Sequence, residues 1–259
     1  MPKDVGEQAM SLTVLVTAKN NAETIRECLR RIQQAPPSSK EIVAVYARST
    51  DDTERILRGL TGVKLFMDNE GTGSAINTGV LNSKGDIIIY IEAHSFIADD
   101  TLLTMMQPFK EDPNVGYVVC YRYVPNNLRN LSTAQRVMNL WRRIRLNSTM
   151  GQFRAFRRET FFDVGGFWTF PRAADDMEFA TRLMDTKWKM KAVRTKAWDL
   201  PRRSLYTMLR HELEDSCSES CWFHLYWGHP ATLREYHLRR NSLVILHALG
   251  FLVFRRLFL

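Results

Sequence analysis

The feature that most constrains the fold is a series of four short apolar runs, each followed by a polar stretch, with helix-like segments between them. The runs cover residues 12–16, 41–46, 63–68 and 86–91. The first intervening segment places Ile25, Cys28, Leu29 and Ile32 at helical spacing on one face. Strands that alternate with helices in this way form a parallel sheet with helices on both faces. We therefore predict an α/β fold with a mostly parallel central sheet flanked by helices.

The second half of the chain continues the pattern less regularly. Residues 115–124 and the segment QFRAF predict strands, and a short helix and a Gly-Gly turn follow the second of them. The segment ADDMEFATRLMDTKWKMKAV predicts a helix and then a further strand, whereas strand signals are absent after DLPRRS. We therefore expect one domain over residues 1–200 and a helical C-terminal region over residues 201–259.

Polar residues follow each predicted strand of the first half, at 17–21, 47–49, 69–73 and 92–94. The carboxyl ends of parallel strands share one edge of a sheet, and ligands of such sheets bind beyond that edge. The last of these segments carries Glu92 and His94 directly after a buried strand. From the residues alone, two explanations stay open: a solvated strand end, or polar groups that face a nucleotide-type cleft.

The balance of charge favours anionic partners. The formal net charge is +8 and the isoelectric point is about 9.5, which suits nucleotide diphosphates, anionic lipid headgroups or nucleic acid. Four scattered cysteines argue against a disulfide scaffold and for a reducing compartment. Residues 1–10 include acids and lack the apolar core of a signal peptide, so we expect a cytoplasmic protein.

The C-terminal stretch SLVILHALGFLVFRRLFL is apolar around most of a helical wheel and follows the basic segment LREYHLRRN. A bilayer span needs about 20 apolar residues, and this run is interrupted sooner. Two readings remain: a final helix packed on the core, or a helix that associates with a membrane surface rich in anionic headgroups. We favour the membrane reading, and thus a peripheral position at the cytoplasmic face of a membrane.

Five motifs in order resemble the family-2 inverting glycosyltransferases of the GT-A fold over residues 11–240. These motifs are VLVTAKNNAETIRECL, STDDT, GTGSAINTGVLNSKGDIIIYIEAHSFIADDTL, GGF and ADDMEFATRL. The later segments PRRSLYTMLRH and GHPATLREYHLRRNSL resemble the tail of succinoglycan-type exopolysaccharide glycosyltransferases. The resemblance implies a Rossmann-like fold that binds a nucleoside-diphosphate sugar, UDP being the favoured nucleotide, and transfers the sugar to a glycan or lipid-linked acceptor.

The resemblance also implies roles for individual residues. Glu92, Ala93 and His94 stand where the family has Asp-x-Asp, so Glu92 and His94 are the candidate metal ligands. An imidazole ligand shifts the preference from Mg²⁺ toward Mn²⁺. Asp175 and Asp176 stand where the family has Glu-Asp, and Asp176 is the candidate general base. Gly165, Gly166 and Phe167 match the acceptor loop. The candidate nucleotide-binding residues are Thr17, Asn20, Asn21, Tyr46, Arg48, Gly71, Ala75, Asn77, Glu92 and Ala93.

The chain departs from the family pattern at the second loop. Tyr46 and Ala47 replace two acids there, and Tyr46 could stack on a base while Arg48 pairs with phosphate. These departures keep open a catalytically silent domain that acts as a binding or scaffold partner. A zinc site built from Cys217, Cys221, His224 and His229 is a further alternative, although its spacing matches no common zinc motif. Nucleic-acid binding is not expected, because the basic residues are dispersed.

Overall fold

The structure is a computed structural model that describes residues 10–121, 153–169, 175–199, 225–226 and 228–229. Nine strands form within this part of the chain. They are β1 (Leu12–Ala18), β2 (Glu41–Tyr46), β3 (Lys64–Met67), β4 (Ile87–Glu92), β5 (Ser95–Ile97), β6 (Val115–Tyr121), β7 (Phe153–Arg157), β8 (Lys189–Arg194) and β9 (Ala197–Asp199). Seven of them form one sheet in the order β3-β2-β1-β4-β7-β6-β8, and β5 pairs with β9 in a small second sheet.

The main sheet is mixed but mostly parallel. The pairs β1–β2, β2–β3, β1–β4 and β6–β8 are parallel, whereas β7 runs antiparallel to both of its neighbours, β4 and β6. The predicted mostly parallel α/β sheet is therefore confirmed, with β7 as the exception. In the parallel half, the register pairs Thr17 with Glu92 and Ala18 with Tyr46, so the carboxyl ends of β1, β2 and β4 lie at one edge.

Six described helices cover the two faces of the sheet. They are α1 (Ile25–Gln34), α2 (Thr53–Arg58), α3 (Thr72–Leu81), α4 (Thr101–Glu111), α5 (Arg158–Val164) and α6 (Asp175–Met184). Helices α1, α2 and α4 contribute to one apolar cluster, and α3, α5 and α6 contribute to the other. The helical spacing predicted for α1 is borne out, because the four residues of its apolar face are all buried.

The alternation of side chains along each strand explains the two clusters. Val14 and Val16 face the cluster under α1, while Leu15 between them faces the cluster under α3. Burying an aliphatic side chain of this size contributes about 1.5–3 kcal/mol relative to leaving it exposed. A strand that is apolar on both faces is stable only between two layers, which is why the apolar runs specify a covered sheet.

The small sheet β5–β9 packs beside α1 at the carboxyl side of β4. Arg31 of α1 lies over the rings of Phe96 and Trp198, at 5.7 and 5.1 Å from their centroids. Among the described residues no helix is long and apolar enough to cross a membrane. The C-terminal helix that we expect near a membrane, and the expected C-terminal region as a whole apart from four residues, lie outside the described part of the chain.

Candidate functional site

The loop after β1 is fastened to the loop after β2. Asn20 adopts a φ of 54°, a conformation that asparagine tolerates better than most residues. Its side-chain oxygen accepts a 2.8 Å hydrogen bond from the Thr50 N–H, and the Asn21 N–H donates to the Thr53 hydroxyl at 2.7 Å. The side-chain oxygen of Asn21 accepts from the Lys19 N–H. The side-chain NH₂ groups of both asparagines have no partner among the described residues, so they are available to a ligand.

Two hydroxyl groups form a hydrogen bond between β1 and β4, near the carboxyl ends of these strands. The Thr17 hydroxyl lies 2.8 Å from the hydroxyl of Tyr90, which is fully buried on β4. Burial, reinforced by the neighbouring carboxylate of Glu92, raises the pKa of Tyr90 well above its ordinary value. Thr17 therefore braces β1 against β4 beneath the predicted nucleotide site.

The two residues predicted to act in the second loop lie in different environments. Tyr46 is buried on the side of α2, where its hydroxyl contacts Glu54 and accepts a 2.8 Å hydrogen bond from Arg58. In this position the ring of Tyr46 belongs to the core rather than to an open stacking face. Arg48 is exposed, and its guanidinium has no partner among the described residues. Only its backbone N–H is fixed, by the side chain of Asn69 at 2.7 Å.

The first turn of α3 is built on glycines for two separate reasons. Gly71 precedes the helix with a φ of 125°, which side-chain-bearing residues rarely adopt. Gly73 lies so close to the loop after α5 that an added Cβ would sit 2.0 Å from the carbonyl oxygen of Trp168. Ala75, one turn along, is buried in the apolar cluster. This turn is therefore packed directly against the predicted acceptor loop.

The same loop is joined to α3 by a reciprocal pair of hydrogen bonds. The Asn77 side chain donates to the Phe167 carbonyl at 2.7 Å and accepts from the Phe167 N–H at 2.9 Å. Gly165 and Gly166 turn the chain with φ angles of 88° and 76°. An amide side chain that bonds a backbone segment in both directions imitates a strand partner, so Asn77 fixes the loop relative to α3.

Glu92 and His94 lie together at the carboxyl end of β4. Their side chains are 3.1 Å apart, from His94 Nε2 to Glu92 Oε2. Ala93 between them is buried, and its N–H donates to the Thr17 carbonyl at 3.0 Å. Adjacent ligands held about 2.1 Å from one divalent ion lie about 3 Å apart, so this separation fits a shared ion.

The Glu92–His94 pair provides only part of a coordination shell. Among residues 10–121, 153–169 and 175–199 and the four described residues beyond them, no group of three or more His, Cys, Asp or Glu side chains is arranged for a metal ion. Two protein ligands suit an ion that takes its remaining ligands from substrate phosphates and water. The residues present therefore fit a substrate-bridging ion rather than a structural one.

A buried ion pair lies beneath the site. Arg154 of β7, 3% exposed, places Nη2 2.8 Å from Oδ2 of Asp175, the first residue of α6. Its guanidinium also lies 4.7 Å from the ring centroid of Tyr90 and 5.4 Å from that of Phe167. Nε and Nη1 of Arg154 have no hydrogen-bond partner in the described structure. Two aromatic rings therefore lie beside a buried cation, and within the described part of the chain its ion pair is with Asp175.

This environment changes the pKa of Asp175. Burial raises the pKa of its carboxyl to about 6; Arg154 opposes that rise, and the carboxylates of Asp176 and Glu92 add to it. The influence of Glu92 means that the first turn of α6 and the end of β4 share one electrostatic environment. The structure thus brings together the two acidic segments that the motifs placed far apart in sequence.

Asp176 is the less buried member of the pair on α6. One of its carboxylate oxygens accepts a 2.8 Å hydrogen bond from the Met177 N–H. Acidic residues in the first turn are favoured by the helix dipole. Asp176 is therefore the more exposed of two adjacent carboxylates, and the general-base role predicted for it stays a prediction.

Arg182 connects α6 to the predicted acceptor loop. Its guanidinium donates to the Val164 carbonyl, to the Gly166 carbonyl at 2.7 Å and to both oxygens of Glu178. Glu178, only 1% exposed, also accepts a 3.0 Å hydrogen bond from the Tyr226 hydroxyl. This network, together with Phe167 stacked on Phe179 at 4.2 Å, holds the loop against the helix that carries Asp176.

Sequence reasoning missed both arginines. In QFRAFRR, Arg154 and Phe156 lie two residues apart and therefore on the same face of the strand, and Phe156 is buried. An arginine at a position where the strand pattern requires an apolar residue could have indicated the buried ion pair. Of the alternative zinc ligands, Cys217, Cys221 and His224 lie outside the described residues, whereas His229 Nε2 lies 3.3 Å from Asp185 Oδ1.

Comparisons with known proteins agree with the motifs. The model of the family described as Glycosyl transferase family 2 matches residues 13–178. Poly-beta-1,6-N-acetyl-D-glucosamine synthase of Staphylococcus aureus is 23% identical over 199 residues, which are 71% of this chain and 46% of that protein. The Staphylococcus epidermidis synthase is 23% identical over 203 residues, 73% of this chain and 47% of that protein. The chain thus spans about half the length of these relatives.

Solved structures share the fold. A mannosyltransferase from Pyrobaculum calidifontis, in complex with GDP-Man and Mn²⁺, has a TM-score of 0.70 at 22% identity over 96% of this chain and 76% of that one. Glucosyl-3-phosphoglycerate synthase from Mycobacterium tuberculosis, with Mn²⁺, UDP and phosphoglyceric acid, has a TM-score of 0.62 at 14% identity over 83% and 78%. The GT-A fold predicted from the motifs is therefore confirmed.

Proposed function

Because the chain belongs to glycosyl transferase family 2, we propose that it is an inverting, metal-assisted glycosyltransferase acting on a nucleoside-diphosphate sugar. The observation that carries this proposal is the convergence of the Glu92–His94 pair and the Asp175–Asp176 turn at the carboxyl edge of the sheet. One pair is suited to a phosphate-bridging ion and the other to proton abstraction. A sugar transfer from a diphosphate requires both functions, close together.

The roles of the residues follow from the chemistry of the displacement. A divalent ion bound by Glu92 and His94 would act as a Lewis acid that stabilises charge on the departing diphosphate. Asp176 accepts the proton of the acceptor hydroxyl, a contribution of typically 10²–10⁴-fold. Arg154 keeps the neighbouring Asp175 paired and in place. A single displacement without a covalent intermediate inverts the anomeric carbon of the transferred sugar.

We assign donor recognition to polar side chains in the loops after β1 and β2. The side-chain NH₂ groups of Asn20 and Asn21 can donate to the nucleoside, and the exposed guanidinium of Arg48 can pair with a phosphate. Gly71 lets the backbone of α3 approach the donor closely. We favour UDP, and we favour Mn²⁺ over Mg²⁺ because His94 supplies an imidazole nitrogen.

A glycan or lipid-linked hydroxyl is the acceptor that we propose. The curated relatives are named as synthases of an N-acetylglucosamine polymer, which supports a growing glycan as acceptor. Residues 201–259 would bring the site to the cytoplasmic face of a membrane through the apolar C-terminal stretch. Under this proposal the protein is peripheral to the membrane and binds no nucleic acid.

Ligand-induced stabilisation tests the donor site directly. The unfolding temperature is measured with UDP, GDP, CMP and dTDP, each with Mn²⁺, Mg²⁺ or EDTA. A ligand that binds only the folded state adds about 2.7 kcal/mol to stability at a hundredfold excess over its Kd. We expect one nucleotide to stabilise the protein only with metal, and we expect His94→Ala to remove that shift. His229→Ala, which removes a histidine paired with Asp185, is the matched control and should keep the shift.

The catalytic proposal is tested by Asp176→Asn in the same assay. This variant should retain the nucleotide-dependent shift and lose about 10²–10⁴-fold in sugar transfer. If no nucleotide and metal pair stabilises the unmodified chain, the proposal fails, and a catalytically silent domain that binds a partner becomes the better explanation. A product that keeps the anomeric configuration of the donor, measured by NMR, would contradict the inverting mechanism.

A further inference from the structure

Trp168 directly follows the Gly-Gly-Phe segment and keeps 41% of its surface exposed. Single exposed apolar side chains are common on proteins, so exposure by itself assigns no role. Trp168 differs from a singly exposed side chain because two other side chains pack against its ring. The guanidinium of Arg182 lies 5.8 Å from its ring centroid, and the ring of Tyr226 lies at 6.4 Å with an interplanar angle of 45°. One side of the indole is packed, while a large part of its surface remains free.

The position of the indole is fixed before any ligand arrives. The backbone of Trp168 packs against Gly73 of α3, where an added Cβ would lie 2.0 Å from the Trp168 carbonyl oxygen. Arg182 is itself held by Glu178 and by the carbonyls of the loop. A rigid aromatic side chain loses little conformational entropy when a ligand stacks on it, so a preorganised indole favours binding.

The neighbours of Trp168 place it on the rim between the donor side and the base side of the site. On one side lies Gly73, in the same turn of α3 that begins at Gly71. On the other side, the preceding residue Phe167 packs over Arg154, which is paired with Asp175 in the first turn of α6. The loop that carries Trp168 is also tied to α6 by Arg182 and by the stacking of Phe167 on Phe179, so Trp168 lies on a loop that contacts the helix of Asp176.

We propose that Trp168, with Tyr226 as its wall, is a stacking subsite for a sugar ring of the acceptor glycan. The apolar C–H face of a pyranose matches the apolar face of an indole, and the face of Trp168 that is not packed on Arg182 is the one available to a sugar ring. The inference rests on the proposed function, because it assigns the acceptor side of the same site. It concerns binding of the acceptor and leaves binding of the donor to other residues.

The test compares Trp168→Ala and Trp168→Phe with Phe162→Ala. Phe162 is a matched control, since it is an aromatic residue, 56% exposed, on the neighbouring helix α5. Binding of soluble N-acetylglucosamine and glucose oligosaccharides of graded length is measured by calorimetry on the full chain with bound nucleotide and metal. We expect Trp168→Ala to raise the Kd of the oligosaccharide about five- to tenfold, while Trp168→Phe and Phe162→Ala change it less than about twofold.

Donor binding is measured on the same variants to separate this inference from the proposed function. The nucleotide-dependent shift in unfolding temperature should be unchanged in Trp168→Ala, because the proposed subsite binds the acceptor and not the nucleotide. Trp168→Leu repeats the experiment with a side chain that retains apolar packing against Arg182 but lacks an aromatic face. It should weaken oligosaccharide binding as Trp168→Ala does, which shows that the loss does not come from unfolding.

Several outcomes would overturn the inference. One is an unchanged oligosaccharide Kd in Trp168→Ala, and another is the failure of every oligosaccharide to bind the unmodified chain. An equal loss of nucleotide binding would assign Trp168 to the donor side instead. If the variant loses binding to vesicles of anionic phospholipid and keeps oligosaccharide binding, Trp168 contacts a membrane and not a sugar. A failed nucleotide shift in the unmodified chain would count against the proposed function itself.

Discussion

Removing the charge of Arg154 is the most informative perturbation of this protein. At 2.8 Å and an effective dielectric constant of about 20, its attraction to Asp175 is about 6 kcal/mol. The desolvation of two buried ions offsets much of this gain, which is why breaking one partner of such a pair typically destabilises a protein by about 3–5 kcal/mol. We expect Arg154→Met to lower the free energy of unfolding by that amount at pH 8, a large part of the stability of most domains.

The pH dependence of this loss has a definite sign. The folded-state pKa of Asp175, about 6, lies above its ordinary value near 3.8, so the folded state holds the proton more tightly than the unfolded state. Stability attributable to this group therefore falls as the pH rises between these values. Without Arg154 the pKa rises further. The variant should be most destabilised at pH 8, and the difference from the unmodified chain should shrink toward pH 5, where Asp175 is neutral.

The assay is urea unfolding of four proteins, namely the unmodified chain, Arg154→Met, Asp175→Asn and the double variant. Asp175→Asn should also be strongly destabilised, because it leaves a buried guanidinium without its carboxylate. The double variant should recover to within about 1–2 kcal/mol of the unmodified chain, since replacing both ions is often nearly neutral. Arg157→Met on the same strand is the control. Its guanidinium donates to the carbonyls of Val115 and Phe109, so its effect should not depend on pH between about 5 and 8. Additive losses, or a loss below about 1 kcal/mol in Arg154→Met, would refute the reasoning.

Three other perturbations test how the site is held. Gly73→Ala should destabilise the chain by about 1–3 kcal/mol, because the added methyl group collides with the Trp168 carbonyl. Gly59→Ala is the control and should be nearly neutral, since the atom nearest to its added methyl group is 3.6 Å away. Urea unfolding measures the stability of both variants. Asn77→Ala removes both hydrogen bonds to the acceptor loop and should lower the free energy of unfolding by about 2 kcal/mol. Hydrogen exchange should become faster only at residues 165–168, and an equal increase along the whole chain would contradict this prediction. Burial acts to raise the pKa of Asp68, but the hydrogen bonds that its carboxylate accepts lower the pKa overall. The stabilisation from this carboxylate is therefore present above about pH 4 and is lost at lower pH. The unfolding temperature of Asp68→Asn should change less between pH 5 and 3 than that of the unmodified chain.

The sequence predicted the elements of the first half to within a few residues. The run at 41–46 is a strand with those bounds, and the run at 86–91 became β4, Ile87–Glu92. The helix between the third and fourth runs is α3, Thr72–Leu81, and it begins directly after Gly71. These features depend on local periodicity and on glycine, which act over a few residues and are therefore legible in a single sequence.

Contacts between distant segments were not predictable in the same way. The sequence suggested a stacking role for Tyr46, and the tertiary structure buries its ring against Arg58 of α2. The antiparallel direction of β7, which lays Arg154 opposite Tyr90, depends on how the chain returns to the sheet after residue 121. Neither result follows from a pattern of apolar and polar residues, because the pattern specifies which face is buried and leaves the identity of the neighbour open.

The sequence by itself determined the alternation of strands and helices, the edge at which Glu92 and His94 emerge, and the helix start that carries Asp175 and Asp176. These depend on burial and helix-end electrostatics, which are properties of short segments. Only the tertiary structure decided that Arg154 lies beneath Asp175 and that Arg182 holds the Gly-Gly loop to α6. The reason is physical: a hydrogen bond or an ion pair acts over a few ångströms, and these groups come that close only when the strand, the helix and the loop that carry them pack together.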